Sequence, residues 1–194
     1  MSEERVNRIL AAAYECFARH GLRKTTMDDI AAAAGMSRPA VYQYIRNKQD
    51  AFQRLAIGIL DTALRESRAA ASAGGTLTQR LDRVLAVRLD LTCRLHRDSP
   101  HAIELIGANA ELDRAFTANL IDLLTATIAD AASEVDLRLG EGNAREVAEL
   151  ALALTRGLEA DVAAGCGDKP RERLRNGIAL LVAGLAAATQ PARG

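Results

Sequence analysis

The sequence predicts an all-α protein, with an N-terminal three-helix domain built around a helix-turn-helix and a C-terminal helical bundle. Three observations predict it. Alanine and leucine dominate the 194 residues, Gly and Pro are sparse, and β-branched runs are missing. Apolar residues recur at three- and four-residue spacing, the period of a helix with one buried face. The intervals between these stretches carry helix caps and glycine stops.

Taken in order, the first helix is expected from about Glu3 to His20. Val6, Ile9, Leu10, Ala13, Tyr14 and Phe17 form its apolar stripe, and Gly21 ends it as a residue able to take positive φ. The second begins at Thr26, a hydroxyl N-cap followed three residues later by Asp29, as in a capping box, and turns its Met27, Ile30, Ala31 and Ala34 inward. Gly35 supplies a left-handed turn. Ser37 caps a short third helix ending about Ile45. Pro39 is tolerated in its first turn, and Met36 before the cap staples onto Val41. Asn47 caps a fourth helix to about Ala71, and Ala73-Gly74-Gly75-Thr76 is a loop. Longer helices follow at Leu77–Arg97, Pro100–Ile106 (short), Glu111–Glu134, Asn143–Gly165 and Pro170–Thr189. The domains are expected at 1–50, with the helix-turn-helix at about 25–45, and 51–194.

Composition excludes several classes. The formal net charge is zero, so total charge does not point to a nucleic-acid partner. Its distribution does: from Arg19 to Lys48 six bases (Arg19, Arg23, Lys24, Arg38, Arg46, Lys48) face only Asp28 and Asp29. Cys16, Cys93 and Cys166 are far apart and form no CxxC pair, so neither a metal site nor a disulfide framework is expected, and reduced thiols fit a cytoplasmic protein. The polar N-terminus lacks the apolar core of a signal peptide, and the longest apolar run, Ile178 to Ala188, falls short of the roughly 20 residues that span a bilayer. A soluble, intracellular protein without cofactor is expected. No nucleophile–base pair or phosphate-cradling glycine loop suggests an enzyme.

The informative feature is the pair of short helices joined by the Gly35 turn. Such a pair can set the N-terminal end of its second helix in a DNA major groove. Thr25 and Thr26, Ser37 and Lys48 stand at three helix N-termini, whose dipoles and N–H groups suit phosphate. The second helix offers Arg38, Pro39, Ala40, Gln43 and Tyr44. Arg suits guanine, Gln suits adenine, and a small apolar side chain can meet a thymine methyl, which makes Arg38, Ala40 and Gln43 the candidate base readers.

The stretch Thr25-Thr26-Met27-Asp28-Asp29-Ile30-Ala31-Ala32-Ala33-Ala34-Gly35-Met36-Ser37-Arg38-Pro39-Ala40-Val41-Tyr42-Gln43-Tyr44-Ile45-Arg46-Asn47-Lys48 closely resembles the signature of the tetracycline-repressor (TetR) family. Ile9 to Ala13 and Phe17 to Gly21 also look like that family's first helix, so the resemblance covers about residues 5–55. It implies a homodimeric transcriptional regulator on palindromic double-stranded operator DNA, usually a repressor. It also implies that Thr26 and Ser37 cap their helices near the DNA backbone, that Tyr42 and Lys48 contact phosphate, and that residues around Arg38 to Tyr44 contact bases. Ile45 departs from the family's usual Phe and Ala51 from a common Leu. Ile45 should still fill the core, while the smaller Ala51 would loosen the packing of the fourth helix.

In the C-terminal half, Leu150, Leu154 and Leu158 lie on one apolar stripe and Leu174, Ile178, Leu181 and Leu185 on another, with Gly177, Gly184 and alanines permitting close helix approach. Such stripes pack either within one chain or against a second copy in a four-helix interface, and the resemblance implies the second. It also implies a small-molecule effector held among the middle helices, for which Arg88, Cys93, His96, Asn119 and Arg156 are the candidate polar residues. Of six aromatics only Phe116 follows Phe52, so a flat aromatic cation is not the expected ligand. The competing readings are a helical interaction module without DNA binding, and a DNA-binding regulator governed by thiol redox, through Cys93, or by no effector.

Overall fold

The computed structural model describes residues 2–107, 109–134, 143–163 and 168–188. Among them there is no strand, and nine helices follow in order: α1 (Ser2–Lys24), α2 (Met27–Ala33), α3 (Arg38–Tyr42), α4 (Lys48–Ser72), α5 (Leu77–Asp98), α6 (Glu104–Gly107), α7 (Ala110–Glu134), α8 (Asn143–Ala163) and α9 (Asp168–Ala188). The expected breaks at Gly140 to Gly142 and Gly165 to Gly167, and the third cysteine, Cys166, lie outside the described residues. No described helix is long and apolar enough to cross a membrane.

Local chemistry sets most boundaries. α1 continues past its expected stop. Gly21, at φ 75 and ψ 161, is a break inside it, and one more turn follows to Lys24. A Cβ at Gly21 would meet His101 Nδ1 at 3.2 Å, so both the backbone and the space there favour glycine. α2 begins with the capping box read from the sequence: Asp29 N donates to Thr26 Oγ1 at 3.2 Å and Thr26 N to Asp29 Oδ2 at 2.8 Å. It ends in a complete Schellman motif, with Gly35 at φ 64, Gly35 N donating to Ala32 O and Met36 N to Ala31 O. α3 stops at Tyr42, three residues before the expected end, because Tyr44 N and Ile45 N both fold back on Val41 O while Asn47 already caps α4 through Asp50 N at 2.8 Å. At α5, Thr76 and Gln79 form a reciprocal cap where the sequence predicts only a loop.

The chain divides into two units, 1–61 with 94–114, and 62–93 with 115–194. The first has a core of Ile9, Ala13, Phe17, Ile30, Val41, Ile45, Phe52 and Leu105, with Phe17 edge-on to Phe52 at 5.6 Å. Ile45 fills the core as expected. Ala51 is fully buried in the same core. The second unit is centred on Leu81, Leu85 and Leu89 of α5, Leu120, Leu124 and Ile128 of α7, and Leu174 and Ile178 of α9. Gly177 lets α9 close on α8: a Cβ there would overlap Leu154 Cδ2 at 2.3 Å.

Candidate nucleic-acid interface

α3 has two sides. Val41, with Ile45 just beyond the helix, is buried, and Met36 packs on the same core as the staple predicts. Ser37, Arg38, Pro39, Tyr42 and Gln43 are exposed, and Ala40 is half-buried. A five-residue helix held by one buried valine, a serine cap and a Schellman turn thus presents a continuous row of side chains to solvent. Ser37 Oγ accepts from Ala40 N at 3.4 Å, leaving its hydroxyl proton at the surface. Thr26 is also exposed, although its hydroxyl donates to Asp29 Oδ2 at 2.7 Å. Asp29's carboxyl is held below its ordinary pKa by the hydrogen bonds from Thr26, side chain first and then backbone, so the cap is charged at neutral pH.

Four of the candidate contacts, Arg38, Tyr42, Tyr44 and Lys48, are already engaged. Arg38 Nη1 donates to Asp28 Oδ2 at 2.9 Å and Oδ1 at 3.2 Å, its Nη2 donates to Tyr42 Oη at 3.3 Å, and the guanidinium lies 5.5 Å from the Tyr42 ring centroid. Tyr44 is half-buried against the core and its hydroxyl accepts from Arg5 Nη1 at 3.1 Å. Lys48 Nζ donates to Arg23 O at 2.9 Å and Thr25 O at 2.8 Å, pinning the end of α1 to the start of α4.

Thr25 departs from the expectation. It is fully buried, and its hydroxyl donates to Gly21 O at 2.9 Å and Cys16 O at 3.2 Å. Gly21 O also accepts from Thr25 N at 3.2 Å, so this residue closes the last turn of α1 and its hydroxyl faces away from solvent. Asp28 and Arg5 escaped the sequence reading because their partners lie 10 and 39 residues away.

Of the candidate ligand residues, Arg88, Cys93, Asn119 and Arg156 lie in the second unit and His96 in the first. Asn119 and Arg156 are exposed and bond to Ala115 O and Thr117 Oγ1, while Cys93 and His96 are half-buried. Arg88 is buried in a cluster that spacing did not reveal. Its Nε and Nη2 donate to the two Glu159 oxygens at 2.7 and 3.2 Å, Thr92 Oγ1 donates to Glu159 at 3.2 Å, and the Phe116 ring lies 5.6 Å from the guanidinium. None of these five lines the aliphatic cavity of about 310 Å³ between Leu77, Ile128, Ala131, Ala132, Val182 and Leu185, with Thr76 and Glu134 at its polar edge.

The leucine stripes divide between inside and outside. Leu158, Leu174, Ile178 and Leu185 are buried within the chain, and Leu154 and Leu181 are half-buried. Leu150 is 50% exposed and Leu180, absent from the expected interface, is 75% exposed. Gly157 and Gly184 face open space.

Residues 9–55 match the family model described as bacterial regulatory proteins, tetR family. Over 47 residues the chain is 40% identical to the "Probable acrEF/envCD operon repressor" of Escherichia coli (strain K12), a match spanning 24% of this chain and 21% of that protein. Two solved structures share the fold along nearly the whole chain. A TetR-like transcriptional regulator from Rhodococcus sp. RHA1 superposes with a TM-score of 0.63 at 22% identity, over 94% of this chain and 96% of its own. SmeT, the repressor of the Stenotrophomonas maltophilia multidrug efflux pump SmeDEF, gives 0.66 at 21% identity over 94% and 89%, and has also been solved as a triclosan complex.

Proposed function

From the premise that residues 9–55 are an N-terminal domain of the TetR family of bacterial regulators, we propose that this chain binds palindromic double-stranded operator DNA as a homodimer and represses transcription until a small-molecule effector releases it. The observation that carries the proposal is the exposed row on α3. Arg38, Pro39, Tyr42 and Gln43 stand outward while Val41 and Ile45 anchor the helix from below. Arg38 and Gln43 suit base edges, with Pro39 and Ala40 beside them. Ser37, Thr26, Tyr42 and Tyr44 suit phosphate, as does the third N–H of the pinned Lys48. The reading is not that of an enzyme, and an intracellular site of action follows from the DNA partner.

Fluorescence anisotropy against promoter-proximal palindromic DNA tests this. Affinity should fall steeply with salt, by orders of magnitude between about 50 and 200 mM, because each neutralised phosphate releases a counterion. Arg38→Ala should cost about ten- to a hundredfold on the operator and relax preference at one base pair. Binding that is absent, or indifferent to salt, would favour an interaction module without DNA.

The dimer face we assign is the outward side of α8 and α9, where Leu150 and Leu180 are exposed beside Gly157 and Gly184. Two helices from each copy would bury these positions about a twofold axis, setting the reading helices about one DNA turn, roughly 34–36 Å, apart. The 310 Å³ cavity is the site we assign to the effector. Its aliphatic walls suit an uncharged, flexible apolar molecule, and Glu134 at the edge is already paired with Arg80. Straight-chain alcohols such as 1-octanol should raise the melting temperature and weaken operator binding, and Ala131→Leu, which fills the space, should abolish both responses. Responses that survive the substitution place the effector elsewhere.

A further inference from the structure

We propose that Asp28 is a positioning residue for sequence reading: it holds Arg38 in the one direction from which the guanidinium meets a base edge. The inference rests on the DNA-binding reading above. Asp28 lies in the first turn of α2 and Arg38 opens α3, so the pair bridges the two short helices across the Gly35 turn. The side chains of Arg38 and Asp28 are 54% and 64% exposed. An ion pair so open to water contributes little to folding, and its consequence is orientation.

The donor count supports a role that survives DNA binding. A guanidinium has five N–H donors. Nη1 makes two bonds to Asp28 and Nη2 one to the Tyr42 hydroxyl, which leaves the Nε–H and one Nη2 hydrogen. Those two hydrogens can meet the N7 and O6 of guanine without releasing Asp28. Arginine otherwise brings considerable rotamer entropy to a contact, and a side chain already fixed at two points loses less on binding. The Tyr42 ring under the guanidinium restricts the same motion. A free arginine samples neighbouring bases and phosphates. A held one favours a single pair of acceptors, which is discrimination.

The test exploits opposite signs. Asp28→Asn removes a negative charge near DNA, which by itself strengthens all binding. If Asp28 positions Arg38, the variant instead weakens operator binding several-fold while binding to shuffled duplex stays level or tightens, so the ratio of the two falls about tenfold. Asp28→Glu, which keeps the carboxylate, should restore part of the ratio. In an Arg38→Ala background, Asp28→Asn should shift operator and shuffled DNA alike. Circular-dichroism melting of each variant accompanies the titrations, and the Glu variant serves should the Asn variant melt early. Tighter operator binding by Asp28→Asn would show that Asp28 competes with DNA and would overturn the proposal, as would the same fall in the operator-to-shuffled ratio when Arg38 is already alanine. A wild-type protein without DNA selectivity would overturn the parent reading as well. A selective wild type with an unmoved Asp28→Asn ratio would overturn this inference alone.

Discussion

A chain carrying Leu150→Glu together with Leu180→Glu is expected to sediment as a folded monomer and to lose about a hundredfold or more in operator affinity. Both leucines are largely exposed in the single chain, so carboxylates there are solvated and the core is untouched. In a dimer the same carboxylates would be buried without partners, a cost no interface of ordinary size absorbs. Two half-sites bound by one dimer gain the effective concentration of a tethered second event, commonly a factor of 10² to 10⁴, and a monomer forfeits it. Sedimentation velocity reads the first effect and operator titration the second. Leu174 and Ile178 serve as the contrast. They are fully buried in the chain, so glutamate there should unfold the second unit and say nothing about assembly. A double variant that remains dimeric would move the interface off this face.

Glu159→Ala is expected to destabilise the second unit by about 3 kcal/mol, measured by urea denaturation. The carboxylate accepts two bonds from Arg88 and one from Thr92, and the side chains of Arg88 and Glu159 are only 10% and 18% exposed. Removing the acid takes two charge-assisted bonds from a buried guanidinium that faces Phe116. The residual exposure of Glu159 puts the effect at the lower end of the range for broken buried pairs. Arg88→Met with Glu159→Leu should recover most of the loss, because apolar replacement removes the desolvation cost of both charges. A single variant within about 0.5 kcal/mol of wild type would show that water reaches the pair.

These two sites also mark the limit of what the sequence discloses. Capping residues act on backbone groups within a few positions of themselves, so Thr26, Gly35, Ser37 and Asn47 were legible, and with them the presented side of α3. The Arg88–Glu159 pair joins residues 71 apart, and no local period announces it. The stripes of α8 and α9 were legible as apolar but not as inward or outward, because alanine, glycine and leucine occupy several faces of both helices. Gly177 and Gly184 are alike in sequence, yet one meets Leu154 and the other open space. Thr25 misled for a related reason. Its neighbour Thr26 caps a helix at the surface, while the Thr25 hydroxyl turns inward to Gly21 O and Cys16 O, and adjacent threonines look alike in sequence.

The Schellman closure at Gly35 bears on how freely the outward side chains of α3 can change. The two short helices are tied by main-chain bonds between residues 31, 32, 35 and 36, with Thr26, Asp29 and Ser37 as the only side chains in their caps. Pro39 and Gln43 lie outside that scaffold. Their side chains can change without disturbing the frame, so under the proposed function a new DNA preference would need no repacking beneath α3.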